Sequence, residues 1–171
     1  MAKIKVYNND SNRMETYYRG EKESMPYVTN NTLTVGEFRG SSKSPTLWTE
    51  KRCMQAWNSQ RYAFGGPIPV GFAFKRPWEG GHNNFSQHYA GLAFDAGQTL
   101  TVARRAQLYT SALNSNVWSY VEPQNLTPTW VHFDKRRRNA CMLNWWISNN
   151  KKWFKRFLCT NCTGLLKYVR L

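Results

Sequence analysis

His88 and Asp95 stand seven residues apart with Gly91 between them, and no single helix or strand can bring them to one point. On a helix, seven residues span about 10.5 Å along the axis. That is too far for two side chains that must each lie about 2 Å from a shared ion. The chain therefore has to bend between them, and Gly91 supplies a backbone that tolerates the bend. After it, Leu92–Ala93–Phe94–Asp95 alternates as a short strand, with Leu92 and Phe94 on one face and Ala93 and Asp95 on the other. The small Ala93 leaves room beside the carboxylate. Downstream, the same alternation in Trp130–Val131–His132–Phe133–Asp134 puts Trp130, His132 and Asp134 on one face and buries Val131 and Phe133. His88, Asp95 and His132 make a three-ligand zinc set whose fourth position is left to water, which distinguishes a hydrolytic site from a structural one.

At 171 residues the chain fits one domain plus an appendage. Its charge is unevenly spread. All ten acidic residues lie at or before Asp134, whereas residues 135–171 hold ten of the 24 Lys and Arg, so residues 1–134 keep only +4 of the net +14. A mildly positive domain favours approach to an anionic polymer. The tail mixes the charge run Lys135–Arg138 with Trp145, Trp146 and the segment Lys151–Phe157. It reads either as an amphipathic attachment to an anionic surface or as a solvated end, and it carries no nucleic-acid-binding motif. No apolar run reaches the ~18 residues of a membrane span, and Met1–Val6 lacks the apolar stretch of a secretory signal. Of Cys53, Cys141, Cys159 and Cys162, only the last two form a CxxC, with no second ligand pair, so free thiols are expected.

Along the chain, Ile4–Tyr7 and Met14–Tyr18 predict an opening hairpin about the turn-rich Asn8–Asn12, followed by a polar linker over 24–31. Thr34 caps a short helical turn containing Glu37 and Phe38. The pattern predicts a helix over 49–62 capped by Thr49, with Met54, Trp57 and Tyr62 on one face, then a strand over 68–74. A Gly- and Asn-rich loop over 77–85 leads into the His88 segment. A second helix over 100–114 turns Val102, Leu108 and Leu113 inward, and strands over 118–121 and 130–133 complete a small sheet.

Ser86, His88, Gly91, Ala93 and Asp95 together fit the pattern SxHxxGxAxD, which resembles the signature of the zinc D-alanyl-D-alanine carboxypeptidase family. That family includes cell-wall D,D- and L,D-peptidases and phage endolysins, and it shares its fold with the hedgehog signalling domain. Leu33–Thr34–Val35–Gly36–Glu37–Phe38 resembles the LTxxEF opening of one branch, and Pro67–Phe72 resembles the strand before the metal loop, which in relatives leads to an arginine. The likeness covers roughly residues 30–135. It implies an α+β fold of the hedgehog/DD-peptidase kind, with a small, mainly antiparallel sheet, packed helices and zinc on one sheet face. Residues 1–29 then form an N-terminal hairpin extension and 136–171 a basic aromatic tail outside the likeness.

Carried over, the resemblance implies Zn2+ held by His88, Asp95 and His132, Ser86 as a contact to the substrate peptide, and Arg76, or the adjacent Lys75, as the clamp for a carboxylate or oxyanion. Paired donors suit a guanidinium to that task. The implied activity is hydrolysis of peptidoglycan stem peptides, with the cell wall as the place of action. One departure stands out. Relatives place a general-base glutamate three residues before the second histidine, where this chain has Thr129, or a histidine two before it, where it has Trp130. Asp134 and Glu122 are the substitute candidates, although a tight turn at 123–127 would pair Glu122 near Pro128. Without a base, the chain is a zinc-containing module that binds wall peptide without cutting it. His82 matches no motif position and reads as an ordinary loop residue.

Overall fold

The computed structural model describes residues 1–83 and 85–136. Strand β1 (Ala2–Asn8) alternates strictly, burying Ala2, Ile4, Val6 and Asn8. It pairs antiparallel with β2 (Arg13–Arg19), Ala2 opposite Arg19 and Asn8 opposite Arg13. It also pairs, in parallel, with β3 (Thr46–Glu50), Ile4 opposite Leu47. The hairpin expected as an extension over 1–29 is thus part of the same compact unit, Met1–Arg136, because β1 is the central strand of a three-stranded sheet. Met25, in the expected linker, is fully buried, and its N–H donates to the Leu33 carbonyl at 2.9 Å.

Helix α1 (Val35–Arg39) starts as expected. Thr34 Oγ1 accepts from the Glu37 N–H at 3.2 Å, and the Glu37 carboxylate accepts from the Thr34 N–H at 2.7 Å, a reciprocal cap that satisfies two orphan donors. The helix expected from Thr49 begins later, as α2 (Lys51–Phe64). Thr49 belongs to β3, whose apolar and β-branched residues pair with β1, and its hydroxyl donates to the Gly91 carbonyl. Cys53, Met54, Ala56, Trp57, Gln60 and Phe64 form the buried face of α2, whereas Tyr62 is 91 % exposed. Helix α3 (Val102–Asn114) is capped by Thr101 but buries Arg105, Leu108 and Ala112 and leaves Val102 and Leu113 outside. Arg105 can face inward because its guanidinium donates to the carbonyls of Gly97, Gln98 and Leu100 at 3.3–3.4 Å.

The second sheet is antiparallel and built from short strands. These are β4 (Val70–Phe72), β5 (Ala93–Ala96), β6 (Tyr120–Val121) and β7 (Val131–Asp134), in the spatial order β4-β5-β7-β6. One face carries Phe94 and Phe133, which stack with Trp57 and Trp118 at ring separations of 4.5–5.9 Å. This aromatic cluster is continuous with Ile4, Val6 and Leu47 of the first sheet. The described residues are therefore α+β, with two small sheets and three helices. None of the described helices is long and apolar enough to cross a membrane. The tail, apart from Arg136, and Cys141, Cys159 and Cys162 lie outside the described residues; Cys53 is a buried free thiol, as expected.

Candidate metal centre

The bend required between His88 and Asp95 is a single 3-10 turn, Gln87–Ala90, closed by Gly91 at φ 66°, ψ 33°. Ser86 begins the turn, its hydroxyl accepting from the His88 N–H at 3.4 Å, so the side chain expected to meet substrate has a local capping role here. The turn is docked on β3. Trp48 Nε1 donates to the Tyr89 carbonyl at 2.6 Å, and Thr49 Oγ1 donates to the Gly91 carbonyl at 2.7 Å. A Cβ on residue 91 would lie 1.9 Å from the Trp48 carbonyl oxygen. Glycine is therefore required at that position by both its left-handed backbone and the proximity of β3.

Beyond the turn, β5 pairs with β7 so that Asp95 stands opposite His132 and Phe94 opposite Phe133. Directly opposed residues share a face, so the register that sends the two phenylalanines into the core also sends Asp95 and His132 to the other side. His88 closes the group. His88, Asp95 and His132 each offer a ligand atom, all within 4.8 Å of one another, and so form a group that could hold a metal ion. Asp95 lies between the two imidazoles, with Oδ2 3.4 Å from His88 Nε2 and Oδ1 2.6 Å from His132 Nδ1.

The outward sides of both rings are also held. His88 Nδ1 is 3.0 Å from the Ala73 carbonyl. A carbonyl can only accept, so Nδ1 is the donor there, and Nε2 is the ring atom turned toward Asp95. His132 Nε2 lies 3.3 Å from Asp134 Oδ2, leaving Nδ1 as the inward atom. A ring nitrogen bonded to carbonyl or carboxylate while the other faces inward is the arrangement that orients metal-ligating histidines, and these donors fit a divalent cation of the zinc type. Electrostatics agree. Burial opposes ionisation of Asp95, but hydrogen bonds from His132 and His88 outweigh it and hold the carboxyl at about 2. Burial also opposes the charged form of His132, yet the Asp134 and Asp95 carboxylates raise it to about 9. The cluster attracts positive charge.

Asp134, a candidate base, is fully buried and taken up by Arg136, whose Nε donates to its two oxygens at 2.8 and 3.0 Å. Its other contact goes to His132, so the carboxylate is spent on orienting that ring. Arg76, the candidate clamp, is engaged by Glu79. Nε and Nη2 both donate to Glu79 Oε1, at 3.1 and 3.0 Å, and the guanidinium lies 5.1 Å from the Trp78 ring centre. Glu79 also accepts from Ser42 and the Lys43 N–H, and its carboxyl is held at about 2, with burial opposing and these bonds prevailing. Among the described residues, Lys75 has no such carboxylate partner. Its ammonium sits 5.6 Å from the centre of the Phe72 ring, which in turn touches His88 at 4.9 Å.

Glu122 is placed closer than expected. The connection between β6 and β7 is a wide loop, held by Gln124 Nε2 donating to the Thr127 and Trp130 carbonyls at 2.8 and 3.0 Å. The register that results puts Tyr120 opposite Asp134, and the Glu122 N–H donates to the His132 carbonyl at 2.9 Å. Glu122 thus pairs with His132 and not with Pro128. Thr129 is exposed. His82 was read as an ordinary loop residue, yet its ring stacks on His88 at 4.9 Å with a 31° tilt and on Phe72 at 4.8 Å. No periodicity or motif marks it; only the preceding Gly80–Gly81 signals that the loop folds back. Comparison of the chain with protein-family models, curated proteins and solved structures finds no match in any of the three.

Proposed function

We propose that the chain is a zinc metallopeptidase of the D-alanyl-D-alanine carboxypeptidase kind, with a hedgehog/DD-peptidase-like arrangement of the second sheet, acting on peptidoglycan stem peptides at the cell wall. The observation that carries the reading is the convergence of His88, Asp95 and His132 on one sheet face, each ring fixed from behind by an acceptor. Zinc, when bound by these three side chains, supplies Lewis acidity and lowers the pKa of bound water to about 7. Glu122, across the strand pair from His132, is the carboxylate proposed to take up the proton. Lys75, rather than the engaged Arg76, offsets negative charge developing on the substrate. Ser86 shapes the turn that presents His88 and has no assigned contact to substrate beyond that.

The test is incubation of the zinc-loaded protein with purified wall peptides, with and without chelator, read by mass spectrometry. Chelator-sensitive cleavage of a D-Ala, L-Ala–D-Glu or crossbridge bond is expected, and its absence from all three overturns the enzyme reading. A second reading has its own support: Thr129 stands where relatives carry the base, and Asp134 is withdrawn into an ion pair. In that case the protein is a zinc-containing module that binds wall peptide, and co-sedimentation with purified wall material persists without cleavage. Attachment to an anionic surface or to nucleic acid through the basic tail over 136–171 is a third and weaker reading, and a chain ending at Arg136 would lose it while keeping wall cleavage or wall binding.

A further inference from the structure

The charge run that opens the tail has its first two members inside the fold. Lys135 Nζ donates to the Val117 carbonyl, and Arg136 reaches back to Asp134. Positions 132, 134 and 136 share parity along β7 and its continuation, so His132, Asp134 and Arg136 project to the same side. Their contacts form a chain. Asp134 Oδ2 faces His132 Nε2, while Asp134 Oδ1 accepts both the Arg136 backbone N–H at 3.0 Å and Nε at 2.8 Å. The guanidinium is in turn laid over the Tyr120 ring at 4.2 Å, and Tyr120 is the residue directly opposite Asp134. Asp134 is wholly enclosed, so its carboxylate depends on these donors for its charge and its rotation.

We infer that Arg136 is a positioning residue of the metal centre, fixing the His132 ring through Asp134 so that Nδ1 faces Asp95. This rests on the metal-site reading above. An ion pair serving stability alone has no need to share an oxygen with a neighbouring imidazole. Here Arg136 holds both carboxylate oxygens, Nε reaching Oδ1 at 2.8 Å and Oδ2 at 3.0 Å, and Oδ2 also lies 3.3 Å from His132 Nε2. Removing the guanidinium leaves an enclosed carboxylate with the ring as its main side-chain donor. It must then turn or admit water, and in either case the ring loses its fixed acceptor.

The experiment compares the full-length chain with Arg136→Met, Arg136→Lys and Lys135→Met. Lys135→Met removes a neighbouring contact of similar depth that leads only to a backbone carbonyl. Zinc affinity is measured by competition with a chromophoric chelator, and thermal stability is recorded for each variant. Loss of an outer partner of this kind weakens metal binding about 10–100-fold. That loss is expected for Arg136→Met, with partial recovery in Arg136→Lys and none of it in Lys135→Met, even where the melting temperatures of the two Met variants fall equally. In parallel, the His132 Nε2–H proton is followed by 15N-resolved NMR in chelator-treated protein; it should be protected from exchange in the parent chain and unprotected in Arg136→Met. An Arg136→Met variant that keeps both the zinc affinity and the protected proton overturns the inference. If the parent chain takes up no zinc, the metal reading fails by itself, and the NMR comparison still decides whether Arg136 positions the ring.

Discussion

Replacing Gly91 with alanine measures how tightly the metal turn is seated on β3. Gly65, at the end of α2, provides the control, because its backbone at φ 67°, ψ 30° nearly duplicates the φ 66°, ψ 33° of Gly91. At Gly65 a Cβ meets nothing within 4 Å, so Gly65→Ala costs only the left-handed conformation, about 1 kcal/mol. At Gly91 the same cost applies, but the Cβ falls 1.9 Å from the Trp48 carbonyl oxygen and 3.2 Å from Phe38 Cζ. Backbone in a paired strand cannot swing aside as a side chain can, so turn and strand must separate. Forced overpacking of this kind costs about 1–3 kcal/mol. Separation also strains the Trp48–Tyr89 and Thr49–Gly91 hydrogen bonds, each contributing about 1 kcal/mol. The sum is ~4 kcal/mol or more for Gly91→Ala. At about 2–4 °C per kcal/mol, thermal denaturation should show a fall of ~10 °C or more for Gly91→Ala and ~3 °C for Gly65→Ala. Equal falls would refute the claim that the turn is pressed against β3.

His132 is raised from 6.5 to about 9, so in chelator-treated protein its contribution to stability is complete below pH 6.5 and lost as pH rises through about 9. Denaturation midpoints should decline across that window, and a His132→Gln chain should show a flatter profile. Glu79 runs in the opposite sense. Lowered from 4.5 to about 2, it stabilises above pH 4.5 and ceases to as pH falls through about 2; Glu79→Gln should therefore melt lower at neutral pH and converge with the parent chain in acid. For the proposed hydrolysis, Glu122→Gln should lower kcat by about 10²–10⁴-fold with zinc content unchanged, and full activity in that variant would remove Glu122 as the base. Asp95→Asn should abolish stoichiometric zinc in equilibrium dialysis, since it replaces the one anionic ligand with a neutral amide.

The candidate metal group is legible in the sequence because its constraints are local. Seven residues with a glycine between force a bend, and alternation around Asp95 and His132 assigns each a face. What the pattern could not supply was pairing partners. Thr46–Glu50 reads as the approach to a helix until β1 lies beside it, and a strand that gains its order from a partner some forty residues away carries little signal of its own. Tyr62, Val102 and Leu113 are apolar or aromatic, yet they face outward because the helices are oriented by Trp57, Arg105 and Leu108. Glu122 was misplaced by assuming a tight turn, whereas Gln124 ties a wider loop. The place of His82 depends on side-chain packing that no linear spacing encodes.

The spatial order β4-β5-β7-β6 gives β7 an inner position although it is the last of the described strands in the chain. Until residues 131–134 are made, one edge of β5 therefore lacks its partner strand and Phe94 lacks the Phe133 ring that completes its packing. A ribosome stalled anywhere before that point releases a product with an open strand beside an aromatic surface, the combination that recruits other chains. Completing the sheet and bringing His132 up to His88 and Asp95 are a single event, so the candidate metal group assembles only as that edge closes.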